Sequence, residues 1–198
     1  MAYHHGQLRR ALMDAALDLV TELGPMGLTL RGAARRAGVS PSAPYRHFVD
    51  REALLAAVAA EGFALLADQL DEVSAALEDP LERVLRIGVA YVRFATENRA
   101  RYRVMFGQQI PDRKKHPELE EAARRTFSHL DRAIADAHAR GLLRGEPRAL
   151  TLLAWSVVHG LSSLILDGQA RVSGEPPSVE AIAERLGQLL LDGIRSRP

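Results

Sequence analysis

Four arginines, Arg31, Arg35, Arg36 and Arg46, fall with His47 in a stretch from Leu23 to Val49 that contains no acidic residue. Guanidinium groups present planar, permanently charged donor forks that match phosphate oxygens, so this cluster is suited to a nucleic-acid backbone. The excess is local. Residues 1–50 hold six arginines against four acids, a net of +2, while the remainder carries −1 and the whole chain +1. A second group lies further on: Trp155, His159 and Ser162, at i, i+4 and i+7, share one helical face. An apolar body with a few polar handles is the composition of a small-molecule pocket. The same spacing also describes an ordinary core stripe with His159 hydrogen-bonded internally, and both readings stand. Aromatic residues are only 5% of the chain, yet Phe63, Tyr91, Phe94, Tyr102, Phe106, Phe127 and Trp155 all follow residue 60. Phe63, Tyr91, Phe94, Tyr102, Met105, Phe106, Trp155 and His159 are therefore the candidate ligand contacts.

Several chemistries are excluded. The absence of cysteine removes disulfides, thiolate nucleophiles and cysteine-based metal sites. There is no Gly-x-Ser-x-Gly elbow, no Gly-x-x-x-x-Gly-Lys phosphate loop and no His-Glu-x-x-His pair. His129 and His138 are nine residues apart, off adjacent helical turns, so no metal is expected. No cofactor and no enzymatic activity are expected either, and binding is the remaining task.

The elements that must position these residues are helical throughout. Leu8, Leu12, Ala15, Ala16, Leu19, Val20 and Leu23 recur at three- and four-residue steps, and Gly24-Pro25 ends that face. Thr29 can cap a short helix that stops at Gly38; another short helix is expected from Ser40-Pro41 to Val49, and Asp50 can cap a long one from Arg51 to about Leu77. Further helices are expected over about 81–97, 98–106, 118–140 and 147–168, then a last one beyond the Gly/Pro-rich link 173–177. The fold class is all-α, with about nine helices, divided into a DNA-binding part at 1–50 and a larger part at 51–198. Residues Ala149 to Leu166 form an uncharged run of 18, just the length of a membrane span. Polar interruptions and the lack of flanking basic clusters point instead to a core or interface helix, with no membrane as partner. No basic patch and apolar run follows Met1, so a cytoplasmic location is the expectation.

Two short helices joined by a tight turn make a helix-turn-helix, whose second helix enters the DNA major groove. That crossing needs a small residue where the helices meet and a glycine able to take positive φ in the turn; Ala34 and Gly38 supply them, and Val39 anchors the turn. Ser40, Pro41, Ser42 and Ala43 form a tip of short side chains, followed by Tyr45, Arg46 and His47, which carry donors toward phosphates. Pro44 is a complication. If Ser40 caps the helix, Pro44 lacks the first N–H able to bond within it.

Residues 28–55 resemble the DNA-binding signature of TetR/AcrR-type bacterial regulators: Thr-x-Arg at 29–31, Ala-Gly-Val-Ser at 37–40 and Tyr-x-His-Phe at 45–48. The segment Trp155 to Gly160 resembles a Trp…His-Gly element of one C-terminal subgroup. The resemblance implies that Thr29 and Arg31 meet phosphates, with Ser40 at the start of the recognition helix. It further implies that Ser42 and Ala43 face base edges, and that Tyr45, His47 and Arg51 clamp phosphates. Pro44 stands where the family usually has an aliphatic residue, and Arg51 where it usually has lysine. The function so implied is a homodimeric repressor that binds a palindromic double-stranded operator and is released by a small-molecule inducer. A ligand-independent architectural DNA binder and a helical enzyme with a helix-turn-helix-like segment are the alternatives.

Overall fold

Leu8, Leu12, Met13, Ala15, Ala16, Leu19 and Val20 are buried along one face of α1 (His5–Leu23), the stripe their spacing requires. The structure, a computed structural model, describes residues 5–170 and 178–196; the link read at 173–177 lies outside them. Eight α-helices follow one another among the described residues: α1, α2 (Leu30–Arg36), α3 (Arg51–Ala75), α4 (Pro80–Glu97), α5 (Arg99–Phe106), α6 (Pro117–Ala139), α7 (Pro147–Leu166) and α8 (Val179–Ile194). Short 3-10 turns lie at Pro25–Gly27, Ala43–Arg46 and Arg113–Lys115. The expected ninth helix is the second of these turns, for a reason given below.

The helices group into two compact units, and both are discontinuous in sequence. One draws on residues 1–64 and 98–123, the other on 65–97 and 124–198. Long helices α3 and α6 contribute turns to both.

In the first unit, α1 packs against α2, the 25–27 turn and α5. Leu12, Ala33, Ala34, Leu54, Leu55, Phe63 and Met105 are fully buried there. Glu61 of α3 receives Arg10 of α1 at 3.2 Å and Arg101 of α5 at 2.5 Å, tying three helices to one carboxylate.

In the second unit, α4 lies against α7 and α8, which also touch each other. A Cβ on Gly187 would sit 2.5 Å from Leu85 Cδ1, so any larger residue on α8 there would displace the Leu85 side chain of α4. Arg86 of α4 joins the same pair of helices through Glu184 of α8 at 3.1 Å, and also pairs within α4 with Glu82 at 2.7 Å. Two described helices are long and apolar enough to cross a membrane. The apolar window of α3 is 56% buried by the protein itself, that of α7 only 28%. Leu152, Leu153 and Leu164 of α7 and Leu189 of α8 are exposed.

Candidate nucleic-acid interface and apolar cavity

The helix-turn-helix is built from local backbone chemistry. Thr29 is in extended conformation, and its Oγ1 accepts from the Gly32 N–H at 2.9 Å, satisfying one of the free donors at the start of α2. At the other end Gly38 has φ 68°. The Val39 N–H donates to Ala34 O at 3.0 Å and the Gly38 N–H to Arg35 O at 3.2 Å, a left-handed glycine cap that turns the chain sharply. Ala33 and Ala34 are fully buried.

The segment after the turn is a 3-10 helix rather than the α-helix expected from 40 to 49. An α-helix capped at Ser40 would need the N–H of residue 44 to donate to Ser40 O, and Pro44 has none. The Ala43 N–H makes that bond instead, one residue earlier, at 3.0 Å, which winds the backbone into the tighter form. Pro44 is buried, and the His47 and Phe48 N–H groups both donate to its carbonyl at 2.9 Å. Ser40 and Ser42 are exposed with their hydroxyls 3.3 Å apart, and Ala43 is half-buried.

The expected phosphate-contacting residues fall into two groups. Thr29, Arg31 and Tyr45 are exposed, as is Arg46, which the resemblance did not single out. Among the described residues, Arg31, Arg35 and Arg46 make no ion pair. Arg36 is different: its Nη1 and Nη2 donate in parallel to both carboxylate oxygens of Glu22, at 2.8 and 2.5 Å, and that contact lowers the Glu22 pKa. His47 is half-buried in a polar groove shared with Arg9, Lys115 and His116. Arg51 is also half-buried, and its Nη2 donates to the Pro25 carbonyl at 2.6 Å. Its fork is turned toward the backbone between α1 and α2, which nothing in the residue's own sequence position signals. Asp50, by contrast, caps α3 as its type suggests, accepting from the Ala53 N–H at 2.8 Å.

The eight candidate ligand contacts are divided between the units. Phe63, Tyr102, Met105 and Phe106 belong to the first, where Phe106 stands edge-on to Phe63 at 5.3 Å and 4.8 Å from Tyr102. Met105 fills the space beside Gly62, where an added Cβ would meet its sulfur at 2.6 Å. Phe63, Tyr102 and Met105 are buried in a core, and Phe106 is half-buried beside them. In the second unit a cavity opens among α3, α4, α6, α7 and α8, bounded by Leu85, Tyr91, Phe127, Leu130, Trp155 and Val158 among others. It encloses about 630 Å³ of space including its mouth, of which about 40 Å³ accommodates the centre of a water molecule. The form is a slit. Tyr91 and Trp155 line it, Phe94 is buried but does not line it, and His159, also off the lining, contacts Tyr91. The Tyr91 hydroxyl and His159 Nδ1 are 2.9 Å apart, and burial lowers the His159 pKa from its ordinary value, so the imidazole is neutral at neutral pH. Phe127 meets Trp155 edge-on at 5.1 Å. Phe127 and the glycine notches at Gly88 and Gly187 were not singled out as cavity-formers; only helix packing reveals that role. Among the described residues no group of three or more metal-ligating side chains assembles.

Two family models match the chain. Residues 12–58 match the family model described as bacterial regulatory proteins, tetR family, and residues 84–190 the one described as Tetracyclin repressor-like, C-terminal domain. The HTH-type transcriptional regulator BetI of Rhizobium meliloti is 31% identical over 125 residues, 62% of this chain and 62% of that protein. The chain thus aligns with about three fifths of the curated relatives it matches. A protein of unknown function from Rhodococcus sp. RHA1 superposes with a TM-score of 0.81 at 31% identity, covering 99% of this chain and 100% of the other. FadR from Bacillus subtilis, solved in complex with stearoyl-CoA, has the same fold at 15% identity, with a TM-score of 0.77 over 93% of this chain and 98% of that one.

Proposed function

The chain belongs to the TetR family of bacterial regulatory proteins, and from that premise we propose that it is a DNA-binding transcriptional repressor, active as a homodimer and released from its operator by a small molecule. One observation carries the reading. The Thr29-capped α2, the left-handed turn at Gly38 and the Ser40–His47 tip are presented in an acid-free segment whose Arg31, Arg35 and Arg46 are exposed. Exposed guanidinium groups around a projecting tip of serine and alanine suit phosphate contacts flanking base edges. Ser42 and Ala43 read bases; Thr29, Arg31, Tyr45 and Arg46 position the tip on phosphates. Arg51 acts through the backbone it holds, and His47 reaches the DNA from the groove edge.

The dimer is supported by α7 and α8. Leu152, Leu153, Leu164 and Leu189 are exposed on helices otherwise packed on α4, and a face of this kind is covered by a second copy. Two recognition tips in such a dimer address a palindrome with half-sites one helical turn apart. The cavity in the second unit is the inducer site, a reading supported by its apolar lining and by its position among the helices that match the C-terminal domain model. The protein works in the cytoplasm, where its DNA is, and it carries no catalytic role.

Selection of DNA from a random pool, followed by titration of the recovered sequence, tests the reading. A palindromic site bound by the dimer, and weakened by a ligand that also quenches Trp155, is the expected result. Recovery of no sequence preference would favour an architectural DNA binder instead.

A further inference from the structure

We infer that the cavity of the second unit takes an uncharged, slender, predominantly hydrocarbon ligand and rejects carboxylates, phosphate esters and amines. The inference rests on the reading of this cavity as the inducer site, and it adds the class of inducer. Its first ground is what the wall contains. Among the seventeen residues that line the slit none is charged, and the polar side chains are those of Tyr91, Thr126 and Trp155.

The second ground is where nearby charges go. Arg83 is paired with Asp136 at 3.4 Å, and Arg86 with Glu82 and Glu184. None of these five residues reaches the cavity wall. Two histidines are sequence neighbours of wall residues, His129 of Leu130 and His159 of Val158. His159, in contact with Tyr91, is neutral at neutral pH, as is His129, whose pKa burial also lowers. An ionised ligand entering the slit would shed its hydration shell and find no opposite charge to replace it. That is the most expensive way to bury a charge. A hydroxyl or carbonyl group, by contrast, can share the polar corner formed by the Tyr91 hydroxyl with His159 Nδ1.

The third ground is shape. Little of the enclosed space accommodates even a water molecule's centre, so the walls formed by Leu85, Leu130, Val158 and the edge-on Phe127–Trp155 pair stand close together. An alkyl chain or a flat ring slides into such a slit with small side-chain shifts. A bulky polar group needs the helices to part. At Gly88 an added Cβ would meet Val158 Cγ1 at 3.2 Å, so α4 and α7 are already near contact there.

The test uses the wild-type protein without DNA, so its outcome is independent of whether an operator is bound. Octanol, octanoate and octylamine share one chain and differ in charge at neutral pH. Trp155 is the only tryptophan and lines the slit, so its fluorescence reports occupancy, with calorimetry as a second readout. Octanol is expected to bind at least about tenfold more tightly than either ion, given the cost of burying an unpaired charge. Equal or tighter binding of octanoate or octylamine overturns the inference, and so does failure of all three to bind. Failure of DNA selection would sink the regulator reading and leave this result standing.

Discussion

Exposed arginines near the tip are not equivalent, and the structure says which should matter for DNA. Arg46 is exposed and makes no ion pair among the described residues, whereas both terminal nitrogens of Arg36 are committed to Glu22. On the proposed reading, replacing Arg46 with alanine should remove one phosphate contact per protomer, hence two in a dimer on its palindrome. Each lost contact lowers the slope of log affinity against log salt by about 0.9, so the slope should fall by roughly 1.8. Over a fourfold rise in salt, wild-type affinity should then drop about 12-fold more than that of the variant, on the same counterion-release relation. Arg36→Ala is the matched control: its guanidinium is spent within the protein, so affinity can change but the slope should not. Fluorescence anisotropy of the selected operator at several salt concentrations reads both quantities. An unchanged slope for Arg46→Ala, or an equal reduction for Arg36→Ala, would refute the idea that internal pairing decides which arginines meet the DNA.

Arg51→Ala should cost about 1–3 kcal/mol of stability through the lost bond to the Pro25 carbonyl, with little change in salt slope; Arg51→Lys should not restore it, and denaturant melts with the anisotropy assay separate the effects. Gly38→Ala places a side chain at positive φ and should destabilise by roughly 1–2 kcal/mol, with Gly38→Asn recovering part of the loss in thermal melts. Leu152→Glu or Leu189→Glu should shift the protein toward monomer in sedimentation and weaken operator binding with it; a wild type that sediments as a monomer would end the dimer proposal. Stability should also depend on pH in a defined direction. Burial holds His129 and His159 below the ordinary value of 6.5, so the unfolded chain binds protons there that the folded chain does not. Stability should be level above 6.5 and fall as pH drops below it, and His159→Gln should reduce the fall measured by urea midpoints.

Much of this protein was legible in the order of its residues, because local forces decide it. Apolar spacing of three and four laid out α1, while Thr29, Gly38 and Asp50 punctuate α2 and α3 as their hydrogen-bonding and backbone preferences require. The basic, acid-free tip was equally plain, since charge density is a property of composition. Pro44 carried the warning that the recognition segment lacks an N–H, but only the folded chain decided for a 3-10 turn, because burial of Pro44 and the bonds from His47 and Phe48 had to compete with a continued α-helix. Which arginines remain available was likewise a tertiary matter: Arg36 meets Glu22 across fourteen residues, and Arg51 meets Pro25 across twenty-six. The aromatic candidates divided for the same reason. Phe63 and Phe106 close one core and Tyr91 and Trp155 line a slit, because helices separated in the chain choose their neighbours by the shape of their surfaces, and that shape is written in no single segment.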